Sequence, residues 1–240
     1  MVLRLLLIGI TAFLIQGCAP FSKHYYDKTG GADITTVPWA VITDGEPKLL
    51  RGNKRENDTQ KMLEDGYAQV GYSSFNAGNV NENGAIAQAK KVHASVVIIY
   101  SAYTNTESGA LPLTLPNGAY GTTTTYHPYH VRRSDYFATY WIKLKQAIFG
   151  VHLEDLTTEL RREIGSNKGM LIRAVIKDSP AFQADIFRGD VLRRIGEIEI
   201  YNDEKFSEAL TRYEGQTVIT IIYRNGDPMV KIMPLNKAHR

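Results

Sequence analysis

Apolar and polar residues alternate along this chain in two different rhythms, and the change falls near Lys145–Gln146. From Ala19 to about Asp44 no period is sustained, and "DKTGGADITTVPW" supplies turn formers, so residues 18–44 read as a tether. Beyond it, Asn57 or Asp58 caps a short helix with Met62 and Leu63 inward, and Gly66 ends it. Tyr67 to Phe75 is aromatic and β-prone, with Gly71 at the position of a bulge. Ala85, Ile86, Ala89 and Val92 keep helical spacing, and five apolar residues in succession from Val96 make a buried strand. A Thr-, Tyr-, Gly- and Pro-rich stretch, 104–134, reads as a long exposed loop before a strand at 136–144. Residues 45–145 are therefore expected to form a small α/β domain.

After Gln146 the rhythm shortens. Brief strands are interrupted by one helix around Thr158 to Ile164 and another from about Asp203 to Tyr213. Asn225-Gly226 in "YRNGDP" marks a hairpin, because both residues tolerate positive φ. Roughly ninety residues of this kind, 146–236, describe a small partly open β-barrel with two helices, and the whole chain is expected to be α+β.

Composition excludes little. The 240 residues include 28 basic and 25 acidic ones, a formal net charge of +3. The paired arginines Arg132-Arg133, Arg161-Arg162 and Arg193-Arg194 each stand near an acid, as on solvated faces, and no stripe tracks a phosphate backbone. Nucleic acid is not an expected partner. The N-terminus changes the picture: Arg4 precedes an apolar run, Leu5 to Ile15, too short to span a bilayer. The lone cysteine, Cys18, follows small Gly17. "IQGC" resembles the lipobox of bacterial lipoproteins. That resemblance implies a signal peptide at 1–17 and a lipidated Cys18 anchoring the chain to a membrane. Ala19 after the cysteine implies the outer membrane, with the protein facing the periplasm of the cell envelope.

"SPAFQADIFRGDVLRRI", residues 179–195, is similar to the Ser-Pro-Ala, Ala-Gly-Leu, Gly-Asp-Val-Ile run of bacterial PDZ domains of the HtrA-protease type. Ser179 can cap a short helix whose first turn tolerates Pro180, so these residues are scaffold. The resemblance implies that Ile148, Phe149, Gly150 and Val151 form a carboxylate-holding loop, and that Gly150, Val151, His152 and Leu153 present a strand edge. It also implies that Phe206 and Leu210 line the opposite wall, so the expected partners are protein C-termini or extended peptides bound by strand addition. Phe206 and Leu210 are equally consistent with simple core positions. Asp185 departs from the usual glycine there, and "IGEIEI" carries its glycine one residue early.

No protease domain fits ahead of the PDZ-like region, and no strained serine turn is found. Ser73 and Ser74 stand beside His93 in sequence, but no motif fixes either serine in a strained turn. His127 and His130 lack further ligands at recognisable spacing, and no phosphate-binding glycine loop occurs. No catalytic residue, metal or cofactor is expected. A peptidase of unrecognised type and a structural component of an envelope assembly are the alternatives to a peptide-binding protein.

Overall fold

The computed structural model describes residues 20–116 and 122–238. The expected signal peptide and Cys18 lie outside the described residues. Two sheets organise the chain, and both helices and strands contribute, so the fold is α+β.

The first unit contains α1 (Pro20–Lys23), β1 (Tyr25–Asp27), β2 (Ala40–Val41), β3 (Lys48–Arg51), α2 (Arg55–Glu64) and β4 (Tyr67–Ala77). It continues with α3 (Asn83–Lys91), β5 (Val96–Pro116) and β6 (Thr122–Leu144). Its sheet runs β1-β4-β6-β5-β3, and β2 adds to β6. Among the described residues only β3 and β5 pair in parallel in this sheet. One face, with Ala138, Tyr140 and Ile142 of β6, packs against Phe21 and α3. The other, with Val96, Ile98 and Trp141, packs against Met62 of α2.

The expected tether at 18–44 is corrected by this structure. Phe21 is fully buried edge-on against Phe75, with ring centroids 5.0 Å apart. Its carbonyl accepts from the Ser73 hydroxyl at 2.6 Å. Ile34 is also buried, β1 pairs with β4, and β2 pairs with β6. Isolated aromatic anchors hold this segment, and they leave no period in the sequence. Burying a Phe side chain contributes about 2–3 kcal/mol, enough to order a short irregular stretch.

The expected loop at 104–134 is corrected as well. Past the sheet, β5 and β6 continue as a two-stranded ribbon, in register from Asn105↔Arg133 to Pro116↔Thr122. A shift between Tyr103 and Asn105 separates ribbon from sheet. The exposure predicted for these residues is observed, with Leu111, Leu113 and Tyr126 all open to solvent. Their backbone is nevertheless strand, because Thr and Tyr suit an extended chain and the core strands already set the pairing. Other differences are smaller. Helix α2 begins at Arg55 after Lys54, with no side-chain cap, and Asp58 instead accepts from the Asn53 N–H. The bulge in β4 lies between Gln69 and Gly71.

The second unit contains β7 (Val151–Glu154), α4 (Thr158–Glu163), β8 (Met170–Val175), α5 (Pro180–Gln183), β9 (Val191–Ile195) and β10 (Ile198–Glu199). It closes with α6 (Asp203–Tyr213), β11 (Thr217–Arg224) and β12 (Asp227–Pro234). The sheet order β12-β11-β9-β8-β7 leaves β7 and β12 unpaired on their outer sides, so the barrel is open. Local signals account for the helices: Thr157, Ser179 and Asn202 cap α4, α5 and α6 through their side chains, and Pro180 opens α5. Asn225 and Gly226 both have positive φ, as the β11–β12 hairpin requires. Asp185 adopts φ 53°, a left-handed conformation that Asp tolerates better than most residues. The Asp190 carboxylate is almost wholly buried and takes two 2.7 Å hydrogen bonds from Arg224 and one of 2.8 Å from the Phe187 N–H. It thereby ties the turn before β9 to the distal hairpin.

The two units touch along α2. The Lys177 N–H donates to the Glu64 carbonyl at 2.9 Å, and its ammonium meets Asp65 at 2.6 Å. Burial alone would raise the Asp65 carboxyl, but its bonds to Lys177 and Lys61 outweigh that and hold it below the usual range. Among the described residues no helix is long and apolar enough to cross a membrane.

Candidate functional site

Strand β7 follows the loop Ile148–Gly150, and its outer edge faces α6 across a groove. Gly150 sits at φ 97°, and a Cβ there would overlap the Ser179 side chain, so the loop approaches the start of α5 as only glycine allows. The loop's carbonyls are all committed. Ile148 accepts from the Asn236 N–H at 3.0 Å, Phe149 from Ala181 at 2.9 Å and Gly150 from Ile176 at 2.9 Å. The N–H groups of these three residues donate to no acceptor among the described residues. A loop with its acceptors occupied and its donors open is a site for an anion.

The opposite wall comes from α6. Ala209 is the residue of this helix that is fully buried, while Phe206 and Leu210 are half-buried and pack on the core from the flank. Phe206 meets the buried Phe149 edge-on, with ring centroids 5.8 Å apart. The sequence left open whether Phe206 and Leu210 are core or groove, and they are both: each supports the core and also lines a cavity of about 510 Å³ with Ile148, Phe149, Gly150 and Val151. That volume lies within the usual range for ligand pockets.

Along β7, Val151 and Leu153 pack toward the core of the second unit. The His152 side chain does not serve the groove. It is hydrogen-bonded to the Leu63 backbone at the end of α2, and its Nε2 is buried without a partner. Burial lowers its pKa below the ordinary histidine value, and the bond to Leu63 opposes this only in part. His152 thus lends the groove its backbone and the inter-unit contact its ring.

Sequence reasoning missed the aromatic residue that the first unit brings to this site. Trp39, just before β2, lines the same cavity and is 45% exposed. The only signal for it was a large aromatic residue beside a proline in a polar stretch.

The remaining candidates do not assemble. The buried Ser73 hydroxyl donates to the Phe21 carbonyl and contacts the Tyr140 hydroxyl at 2.9 Å, so its partners are structural, and His93 is not among them. His127 and His130 stand three residues apart on β6, which directs them to opposite faces of the ribbon. His130 Nδ1 lies 2.7 Å from the Ser108 hydroxyl.

Glycine loop, strand edge and flanking helix stand together in the second unit, the arrangement that the resemblance to PDZ domains implies. No family model matches the chain, and no curated protein matches it. Among solved structures, the chain is similar to the HtrA-type protease AlgW with decapeptide, at 19% identity over 41% of this chain and 36% of that one, TM-score 0.33. It thus spans little more than a third of that protease. It is similar to the HtrA3 PDZ domain bound to a phage-derived ligand, FGRWV, at 17% identity over 38% of this chain and 85% of that one, TM-score 0.33. A PDZ domain protein from Parabacteroides distasonis aligns over 83% of this chain and 70% of its own, at 8% identity and TM-score 0.22.

Proposed function

We propose that this protein is a non-enzymatic, lipid-anchored envelope protein whose PDZ-type groove binds C-termini or extended segments of other envelope proteins. The observation that carries the reading is the pairing of an open strand edge at β7 with the uncommitted N–H groups of Ile148–Gly150. An extended ligand adds to β7, its terminal carboxylate takes the loop donors, and its last side chain enters between the loop and Phe206 and Leu210. Anchoring through Cys18 would hold the groove on the periplasmic side of the outer membrane, in an adaptor or quality-control role.

A single added strand buries less than a standard interface, so affinity of about micromolar order is expected. Calorimetric titration of the full chain against peptides with random C-termini tests the reading. Leu210→Asp, which puts charge on the groove wall at a half-exposed site, should abolish binding without unfolding the protein. Absence of any binder, or equal binding by C-amidated peptides, would overturn the carboxylate mechanism.

A further inference from the structure

The groove does not belong to the second unit alone. Strand β2 pairs antiparallel with the end of β6, with Ala40 opposite Leu144. The chain entering β2 therefore runs beside the chain leaving β6, and the latter leads directly into the loop at 148–150. One bond beyond the ladder fixes this: the Lys145 N–H donates to the Trp39 carbonyl at 2.8 Å. Trp39 accordingly sits beside the chain that leads into the loop, and both Pro38 and Trp39 border the cavity that Phe206 and Leu210 border from α6.

We infer that Trp39 is the end wall of the peptide site, so that the groove takes chain ends and rejects segments that continue past the loop. This rests on the peptide-binding reading and narrows it. A chain laid along β7 reaches the loop donors and then meets the indole. A terminal carboxylate fits, because nothing follows it. A chain with further residues must displace Trp39, whose backbone is held by the β2–β6 pairing. The same ring also bounds the space for the last side chain, so the first unit sets part of the specificity. The occupant is an extended chain with a free α-carboxylate and an apolar last residue, suited to a cavity walled by Phe206, Leu210 and an indole.

The protein carries its own reporter. Of two tryptophans, Trp141 is 1% exposed inside the first unit, whereas Trp39 is 45% exposed at the cavity. A change in tryptophan emission on ligand binding therefore belongs to Trp39. The test uses three forms of one peptide drawn from the calorimetric screen: free carboxylate, C-amide, and a form extended by Gly-Gly past its apolar terminal residue. Each is titrated into the full chain, Trp39→Phe, Trp39→Ala and Leu210→Asp, followed by calorimetry and emission.

Wild type should bind the free carboxylate with an emission change, and the extended form about tenfold more weakly or worse. Trp39→Phe should keep that discrimination, and Trp39→Ala should shrink it to about threefold or less. A merely destabilising effect would instead weaken all forms alike. Equal binding of free and extended forms by wild type, unchanged discrimination in Trp39→Ala, or an unaltered emission would each overturn the end wall while leaving the groove intact. Binding of no form by wild type would overturn the peptide reading, and the end wall with it.

Discussion

Replacing Gly150 by alanine tests the loop at its tightest point. The residue sits at φ 97°, where a side chain costs about 1–3 kcal/mol in backbone strain. The new methyl would also overlap Cβ and Oγ of Ser179, which is itself nearly buried and cannot swing away freely. Moving Ser179 sacrifices its cap on the Phe182 N–H, about 1 kcal/mol, and strains the Ala181 N–H bond to the Phe149 carbonyl. Together the expected loss is about 3 kcal/mol or more. With a urea m-value of about 1–3 kcal/mol/M for a domain of this size, the midpoint should fall by about 1–3 M. Trp141 lies inside the first unit and Trp39 at the cavity walled by the second, so emission and circular dichroism both sense the second unit, and the shift should appear in both. Adding Ser179→Gly removes the overlap and leaves the φ strain, so the double variant should recover part of the loss. A Gly150→Ala protein with a midpoint within about 0.3 M of wild type and unchanged peptide affinity would refute the account of the loop.

Three further perturbations follow from the packing. Asp190→Ala removes a buried carboxylate and leaves Arg224 partly exposed, so a loss of about 2–4 kcal/mol is expected, read as a thermal midpoint lower by about 10 °C or more; a change under about 3 °C would contradict it. His152 is held neutral by burial, so below the unfolded value of about 6.5 the unfolded chain takes up a proton that the folded one refuses. Stability should therefore fall as pH drops from about 7 to about 5, and His152→Gln should remove that slope in urea midpoints taken across the window. Replacing Thr106–Arg132 by Asn-Gly should move the midpoint by less than about 0.5 M, because the described side chains there are largely exposed and the lost Glu107–Arg133 pair is a surface one.

Features with local causes were legible in the sequence. Ser179, Pro180, Asn225 and Gly226 act through their own backbone and near neighbours, and the helix at 203–213 stands where such signals put it. What escaped depends on partners far along the chain. Phe21 is ordered by Phe75 and Ser73, and the ribbon by the register that β5 and β6 acquire inside the sheet. Gly109, Pro112 and Pro116 punctuate the ribbon strand as they would a loop. Trp39 reached the groove only through the pairing of β2 with β6, which two residues of strand do not announce.

The ribbon makes the first unit an outrigger as well as a platform. From Asn105 to Pro116 it extends about 40 Å at the usual rise, roughly three times the radius of gyration of a hundred-residue domain. Between Ser108 and Val131 it carries no Asp, Glu, Lys or Arg. Pro112 and Pro128 occupy positions whose missing N–H would face outward, which discourages a third strand from joining at either edge. Backbone pairing gives this segment a defined direction away from the sheet that an unpaired loop of equal length lacks. Its return strand, β6, passes through the middle of the sheet and stops at Leu144, three residues short of Ile148. The ribbon and the threshold of the groove are thus joined by one continuous strand.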